Sequence, residues 1–464
     1  MRKIWAIVAF GLLSCAAPAL QAETLTDALI SAYRNSHLLD QNQAVLRAAD
    51  EDVADAVGAL LPVVQFTANA GYVRTFAPNI TPTFDRDSEA YPLSMQLAAS
   101  MTLYDFGRGE LNIAIKNELV FASQQSLVNV EQQVLLDAVS AYVNMILQTE
   151  LVAAQESNVR LITQDLRAAR DRFEVGEVTR TDVALAEAQL ASANSGLASA
   201  QGNYNIARER YKAAIGHYPG KLASLPKSPV TAKSLEEARA VALRTHPVIL
   251  QAQHQAKAAD IGVQFAKAQM LPTIDGSASI NQTINSDTFG LDTNTNSVGI
   301  KLTQTLYAGG RLSSGFRQAI MNQQAAHAGV QQTGVNVSEA VGKAWSNILV
   351  ANASIIAGDE QIRAAQAAYD GVKEEASLGS RTTLDVLDAE QNLLSAKAAR
   401  LQASANFYVS QYQLLSAMGL LTASHLHLGI PVFDPQAYYN AVKHAPATSA
   451  QGARLDRILK TLGK

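Results

Sequence analysis

Cysteine is nearly absent from this sequence of 464 residues, since Cys15 is the only one. An intrachain disulfide is therefore excluded. Aromatic residues are also scarce: they make up 6% of the chain, although 48% of its residues are apolar. Alanine and glutamine dominate long stretches instead, which favours long helices packed through small side chains over an average globular core.

An excess of positive charge is absent too. The chain has 37 Lys and Arg residues against 41 Asp and Glu residues, so its net charge is −4. Without a basic surface, nucleic acid is disfavoured as a partner. No Ser/His/Asp or Cys/His signature stands out, and His425 and His427 have no cysteine or carboxylate cluster nearby that would complete a metal site. We expect no enzymatic activity, no cofactor and no metal.

Long apolar runs are missing after the N-terminus: none reaches the roughly 18 residues that a membrane-spanning helix needs. The N-terminus itself, "MRKIWAIVAFGLLSCAAPALQAE", has a basic start, a short apolar stretch and small residues leading to Ala22. This pattern predicts a secretory signal peptide over residues 1–22, cleaved after Ala22. The letters "LLSC" leave a second possibility open, in which Cys15 is acylated and becomes the first residue of a lipoprotein.

The chain contains an internal repeat. The stretch "TLTDALISAYRNSH" recurs as "SLEEARAVALRTHP" at a shift of 210 positions, and "LYDFGRG" recurs as "LYAGGRL" at a shift of 203. The first half therefore has about seven extra residues in between, which we expect to form a loop. The repeat divides the chain into residues 23–233 and 234–444, followed by a tail, 445–464, that we expect to be flexible.

Both halves show the same order of predicted elements. A helical segment ends at a proline, a strand pair follows, and two long helices come after it. At 1.5 Å per residue, the longest helices would approach roughly 100 Å, which exceeds an ordinary domain core. The predicted elements are a helical segment (25–61), a strand pair (63–104), long helices (107–216) and a linker (217–233) in the first half, and a helical segment (234–271), a strand pair (273–307), long helices (310–420) and an irregular segment (421–444) in the second.

The predicted strands alternate between apolar and polar residues. In "VVQFTANAGY", Val64 and Phe66 share a face opposite Gln65 and Thr67. Each strand has roughly 10 residues, the length that a tilted strand needs to cross a bilayer. Polar loops (73–92 and 282–296) join the strands, and tyrosines stand near the strand ends, where interfacial aromatics are common: Tyr72, Tyr104 and Tyr307. Alternation alone also fits a soluble hairpin on a core.

Four strands cannot close a barrel within one chain. Either they form a small sheet or several chains pool their strands. In the helices, leucine and phenylalanine spacings predict a narrow apolar seam of the kind found in coiled coils. The residues of this predicted seam are Leu161, Leu166 and Phe173 in one helix and Leu185, Leu190 and Leu197 in the next.

Two stretches at the predicted hairpin tips have the same form. Thr179 stands three residues before Asp182 in "TRTD", and Thr382 stands three residues before Asp385 in "TTLD". This spacing is typical of a helix N-terminus, where the threonine caps the helix and the aspartate interacts favourably with its dipole.

A second carboxylate, Asp388, follows Asp385 on the same helical face. Its counterpart in the first half is Leu185, so capping does not require a charge there. The two aspartates could be a catalytic pair, helix caps, or part of a site that only an assembly of chains can make.

The complete pattern resembles the TolC family of outer-membrane efflux and secretion channels. The resemblance rests on the signal peptide, the twofold repeat, the strand pairs, the helical hairpins, "LYDFGRG" and "LYAGGRL" where strand passes to helix, and "DVLDAEQNLLSA" at the second tip; it covers about residues 23–440. It implies a mainly α fold with a membrane β-barrel: in a homotrimer, four strands per chain form a shared 12-stranded barrel above a long coiled-coil helical barrel in the periplasm. It implies that residues 421–444 lie at the equator of that helical barrel.

The resemblance also implies a function and a location. The protein would be the exit duct of a tripartite efflux pump, of a type I protein secretion system, or of both, and would be gated at the periplasmic helical tip. Its partners would be a periplasmic adaptor (membrane fusion) protein, an inner-membrane transporter of ABC or RND type, and the lipids of the outer membrane of a Gram-negative bacterium. The alternative from another class is a non-channel periplasmic coiled-coil scaffold.

Roles for the tip residues follow from the resemblance as well. It implies that Asp385 and Asp388 of three chains ring the periplasmic entrance and select cations, so they are not a catalytic pair. It implies that Arg381 helps to lock the closed gate. The family position that is commonly aromatic is Ala376 here, so the partner of Arg381 is open.

The resemblance also implies that both hairpin tips contact the adaptor. The residues concerned are Gly176, Thr179, Gly379 and Thr382. The two glycines also suit a tight turn between helices, and both roles can hold together.

Overall fold

The computed structural model describes residues 22–76, 87–227, 229, 232–286, 291–431, 433–443 and 457. The predicted signal peptide up to residue 21, including Cys15, lies outside these residues, as does the predicted tail apart from residue 457. The described elements in chain order are α1 (Leu25–Asn35), α2 (His37–Gly58), β1 (Val63–Ala70), β2 (Val73–Phe76), β3 (Asp87–Ala90), β4 (Leu93–Tyr104), α3 (Arg108–Glu174), α4 (Arg180–Ile215), α5 (Leu235–Thr245), α6 (Pro247–Ala268), β5 (Thr273–Ile284), β6 (Thr293–Thr303), α7 (Arg311–Ser377), α8 (Thr383–Ala417) and α9 (Pro435–Val442). The predicted mainly α fold with four strands per chain in the main sheet is confirmed, and these strands form a small antiparallel sheet.

Each predicted helical segment at the start of a half consists of two helices, which corrects the single helices predicted for 25–61 and 234–271. In the first half the break is at Ser36, whose backbone is extended. Its side chain caps α2 by accepting a hydrogen bond from Leu39 N at 3.3 Å. In the second half the break is at His246, because a residue before proline is disfavoured in the α conformation and Pro247 is the first residue of α6.

The helices α3 and α7 dominate the shape of the molecule. Each has 67 residues, so each spans about 100 Å. Both begin directly after a glycine with φ of 80°, in the "LYDFGRG" and "LYAGGRL" motifs. Each then folds back through a tight turn, so α3 pairs with α4 and α7 pairs with α8. In the part of the chain that the structure describes, none of the helices is both long and apolar enough to cross a bilayer.

The contact between paired helices uses alanine more than leucine. In α4, alanines are buried at every seventh position: Ala186, Ala193, Ala200 and Ala207. The predicted seam was wrong for Leu161, Phe173 and Leu185, which are exposed. The short alanine side chain lets two helix axes approach closely, so the larger side chains turn outward.

The four long strands form one antiparallel sheet in the order β1-β4-β5-β6. Their register brings the predicted apolar residues to one face, for example Phe66 opposite Leu97 and Leu97 opposite Ile280. The other face is polar and contains cross-strand hydrogen bonds, such as Thr102 Oγ1 to Asp275 Oδ1 at 3.0 Å. Each edge strand, β1 and β6, is hydrogen-bonded to one neighbouring strand among the described residues.

The strand ends differ from the prediction in two places. The loop predicted for 73–92 contains a second, two-stranded sheet of β2 and β3. The β-branched residues Val73 and Thr75 favour a strand, and Arg74 faces Glu89 across it with Nε and Oε1 3.9 Å apart. In the second half β6 ends at Thr303, short of the predicted 307.

The middle of α3 anchors both the stretch before α1 and the linker. The hydroxyl oxygen of the buried Tyr142 lies 2.9 Å from the carbonyl oxygens of Glu23 and Ala223, and Glu23 forms a parallel bridge with Leu222. The largest hydrophobic cluster surrounds this point and joins α1, α3, α4, α8 and the segment after α8.

The equatorial segment, predicted to be irregular over 421–444, contains the helix α9. Asp434 caps it by accepting a hydrogen bond from Gln436 N at 2.9 Å, and Pro435 suits the first helical position. This helix packs on α2, where Tyr438 OH donates to Glu51 Oε1 at 2.7 Å.

Gly419, just before this segment, packs closely against the break between α5 and α6. Gly419 has φ of 76°, and a Cβ atom there would lie 2.7 Å from the Cα of His246. We therefore expect Gly419→Ala to destabilise the protein by about 2 kcal/mol or more, through backbone strain and overpacking. Gly371→Ala is the matched control, because its Cβ would meet nothing within 4 Å on a helix. Thermal unfolding followed by circular dichroism should show a lowered midpoint for the first variant and an unchanged or raised one for the second; equal midpoints would contradict this packing.

Candidate gate at the hairpin tips

The two hairpin tips have matching backbone geometry. Gly176 and Gly379 have φ of 79° and 78°, a left-handed conformation that favours glycine. Each closes the end of the preceding helix: Gly176 N donates to Phe173 O at 3.0 Å and Gly379 N donates to Ala376 O at 3.1 Å. The tips are exposed, so they are available for contact with another molecule.

The threonine and aspartate that follow each glycine form a capping box. Thr382 N donates to Asp385 Oδ2 at 2.9 Å, and Asp385 N donates to Thr382 Oγ1 at 3.2 Å. The same reciprocal pair joins Thr179 and Asp182 at the other tip. Hydrogen bonds from the capping threonine lower the pKa of both carboxyls, so both are ionised at neutral pH.

Capping therefore accounts for Asp385 but not for Asp388. Asp388 is exposed on the next turn of α8 and makes no hydrogen bond or ion pair with any described residue. Its charge therefore stabilises no contact among the described residues of one chain. The structure brings the two carboxyls to the same end of the same hairpin, in solvent.

Arg381 binds within its own hairpin. Its Nε lies 2.8 Å from Glu375 Oε2, and both side chains are half exposed. The methyl side chain of Ala376 cannot accept a hydrogen bond from Arg381 in place of Glu375. An exposed ion pair of this kind contributes little free energy, so Arg381 can exchange partners at small cost.

A different arginine reaches from one tip to the other. Arg172, near the end of α3, donates from NH2 to the carbonyl oxygen of Ser377 at 3.4 Å, and its Nε lies 3.4 Å from Glu177 Oε2. The sequence pattern does not single out Arg172, because other arginines share its helix. Only the folded hairpins show that its side chain spans both tips.

A cleft of about 720 Å³ opens between the two tips. Its rim combines both capping threonines with charged side chains. Residues from both hairpins line it, among them Asp165, Arg172, Lys373, Arg381 and Leu387. The cleft separates the two hairpins near their tips, and the hydrogen bond from Arg172 to the carbonyl oxygen of Ser377 crosses between them.

Similarity to known proteins shows the family of this chain. The model of the family described as "Outer membrane efflux protein" matches residues 29–217 and 239–420, which is most of both halves. The chain belongs to the outer membrane efflux protein family. A relative in that family, outer membrane efflux protein BepC of Brucella suis biovar 1 (strain 1330), is 35% identical over 424 residues, covering 91% of each protein.

Two further outer-membrane proteins are similar over more than nine tenths of the chain. Outer membrane protein TolC of Escherichia coli (strain K12) is 27% identical over 457 residues, covering 94% of this chain and 90% of its own length. The solved structure of the Campylobacter jejuni CmeC outer membrane channel shares the fold, with a TM-score of 0.75 at 17% identity and coverage of 91% of this chain and 89% of that one.

Membership of the efflux protein family settles the choice between the two classes considered from the sequence. The protein is an outer-membrane efflux channel protein whose helices extend into the periplasm, and the non-channel scaffold is not supported. The family is one of transport proteins rather than enzymes. Within the described residues, no three His, Cys, Asp or Glu side chains are placed to hold a metal ion.

Proposed function

We propose that three copies of this chain form the exit duct of a tripartite efflux pump. The observation that supports this most directly is the open sheet: four strands, with one polar and one apolar face, whose outer strands β1 and β6 each have an edge unpaired among the described residues. Unpaired edges are unfavourable in a membrane, and three such sheets joined edge to edge make a closed barrel of twelve strands.

The polar face of the sheet would line the pore of this barrel. Ser94 and Thr283 lie 3.1 Å apart on it, and Ser279 and Ser297 lie 2.9 Å apart. The apolar face, with Phe66 and Val298, would contact lipid, which explains why these large side chains are exposed in one chain. The same assembly would place the helices side by side as a hollow tube.

At the periplasmic end, the tips would form the gate. Asp385 and Asp388 of three chains would give six carboxylates around the axis and select cations. Arg381 would hold the closed state by exchanging Glu375 for an acceptor on a neighbouring hairpin. Opening would be an iris-like shift of the tips.

The tips would also bind the partners of the pump. Gly176, Thr179, Gly379 and Thr382 are exposed and would meet a periplasmic adaptor (membrane fusion) protein. An inner-membrane transporter of ABC or RND type would supply the energy. The 35% identical relative is named an efflux protein, which favours small-molecule efflux as the main role and protein secretion as a further one.

The stoichiometry can be tested on the purified protein. We expect detergent-solubilised material to have the mass of three chains by analytical ultracentrifugation, and to run as a heat-modifiable trimer on gels. A species that stays monomeric at every concentration would contradict the shared barrel.

The efflux role can be tested in cells. A strain without this protein should accumulate a lipophilic dye, and restoring the wild-type chain should lower the accumulation again. Equal accumulation in both strains, together with loss of a secreted protein in the deleted strain alone, would assign the duct to secretion instead.

A further inference from the structure

Three charged side chains interact with one another where the two hairpins pack together above the tips, and two of them, Asp165 and Lys373, line the cleft between the tips. Asp165 comes from α3, Glu390 from α8 and Lys373 from α7, so both hairpins contribute. Glu390 is only 4% exposed. Both of its carboxylate oxygens and Oδ2 of Asp165 are buried, and no donor of the described residues is within hydrogen-bonding distance of them.

Among the residues that the structure describes, Lys373 is the one positive charge that acts on both members of this acid pair. Lys373 lies on the exposed side, and its Nζ donates to the hydroxyl of the buried Tyr369 at 3.1 Å. The fourth helix of the two hairpins, α4, packs Val183, Ala186 and Leu190 against α3 beside Asp165, in an apolar cluster with Leu166 and Ala169. Arg172 lies two turns closer to the tips and is engaged with Ser377 and Glu177.

Two ionised carboxylates with one lysine would leave an uncompensated negative charge in this interface, which is unfavourable. Burial, with a contribution from the Asp165 charge, raises the pKa of Glu390 to about 7, while Lys373 opposes the shift. Burial raises the pKa of Asp165 as well, and Lys373 again opposes it. With one proton held by the pair, the remaining carboxylate and the ammonium of Lys373 balance one another.

We propose that Asp165 and Glu390 share one proton and form, together with Lys373, a clasp that positions the two hairpins against each other and holds the gate more firmly in acidic than in alkaline medium. These are positioning residues for the gate, distinct from the exposed carboxylates of Asp385 and Asp388. The inference rests on the proposed function in one respect, namely that the tips are the gate.

The direction of the pH effect follows from linkage. When the hairpins separate, both carboxyls enter water and return to ordinary pKa values, so the closed form binds more protons. The closed form is therefore favoured at low pH and loses this advantage as the pH rises from about 4.5, the ordinary pKa of a glutamate carboxyl, to about 7, by at most about tenfold per pH unit for one proton. Above the raised pKa, the effect is constant.

Spin labels can measure the separation of the two hairpin tips within a single chain. Val175 and Leu378 are 72% and 78% exposed and stand at the two tips, so cysteines placed there can be labelled without touching the packing. The only native cysteine, Cys15, lies within the predicted signal peptide. Electron–electron double resonance on the purified full-length protein, diluted with unlabelled chains, gives the distance between the two labels of one chain.

For the wild type, we expect the fraction of widely separated tips to rise several-fold between pH 5 and pH 7.5. Glu390→Gln and Asp165→Asn should each abolish this dependence, because an amide keeps the shape but cannot ionise. Asp171→Asn, at an exposed position on the same helix, is the matched control and should behave as the wild type. Circular dichroism establishes that each variant is folded.

Tip distances of the wild type that do not change between pH 5 and pH 7.5 would overturn the clasp, as would an unchanged pH dependence in both Glu390→Gln and Asp165→Asn. The measurement does not need a conducting trimer, since both labels lie in one chain. If the tips respond to pH as expected and the protein does not conduct, the proposed function fails while the clasp stands.

Discussion

Neutralising Asp385 and Asp388 together is expected to remove most of the cation preference of the open channel. In the proposed trimer, six carboxylates around the mouth would create a potential of several kT, which would concentrate cations about tenfold or more over anions. Asparagine is the better substitution, because its side-chain oxygen can still accept the capping hydrogen bond from Thr382 N that Asp385 accepts at 2.9 Å. The permeability ratio of K⁺ to Cl⁻, from reversal potentials in a salt gradient, should fall several-fold in Asp385→Asn/Asp388→Asn.

The structure offers a matched control for this experiment. Asp182 has the same capping box at the other tip and the same lowered pKa, but it has no counterpart of Asp388 one turn further on, where Leu185 stands. Asp182→Asn should therefore change selectivity far less than the double variant. Unchanged selectivity in the double variant would refute the ring, and an equal loss in Asp182→Asn would show that any acidic tip residue suffices.

Replacing Gly379 by valine is expected to stop export while leaving the barrel folded. A β-branched residue at φ of 78° is strained, at a cost of about 1–3 kcal/mol, and the tip relieves the strain by adopting another turn. A shift of this size reduces the population of the docking conformation by about 5- to 150-fold. Cells with Gly379→Val should therefore accumulate a lipophilic dye almost as strongly as cells that lack the protein.

Gly371→Val separates this effect from a general loss of protein. Gly371 lies eight residues earlier on α7, and a Cβ atom there meets nothing within 4 Å. We expect this control variant to export normally. The amount of trimer in outer-membrane fractions should be the same for both variants. Normal export by Gly379→Val would count against the docking role of the tip.

Local patterns were sufficient for the main parts of this fold. The alternation in "VVQFTANAGY" predicted which face of β1 is apolar, because side chains in a strand alternate regardless of what covers them. The capping pairs Thr179–Asp182 and Thr382–Asp385 were recognisable for the same reason: a capping box is formed by residues three apart, so its signal is local.

Other features depend on what lies across the fold, and no local pattern could reveal them. Which residues line the α3–α4 contact depends on how closely the helices approach, so Ala186 is buried and Leu185 beside it is exposed. Arg172 is important because Ser377 lies next to it, more than 200 positions later in the chain. Likewise, Asp165 and Glu390 become an acid pair only when two hairpins from different halves pack together.

The helix breaks and α9 could be predicted only in part from the sequence. Local signals for them exist, but the surrounding residues favour a different structure. Ser36 caps α2 within a long stretch of helix-forming residues, and the proline after His246 disfavours helix at that point. Pro435 preceded by Asp434 has the form of a helix start, but the helix has only eight residues.

In the proposed trimer, each chain contributes one third of the wall of the pore. This arrangement is tested most directly by the conductance of the purified protein in a planar lipid bilayer. We predict discrete, cation-selective steps of uniform size from material that has the mass of three chains. Trimers that insert but never conduct, or conductance from single chains, would contradict it.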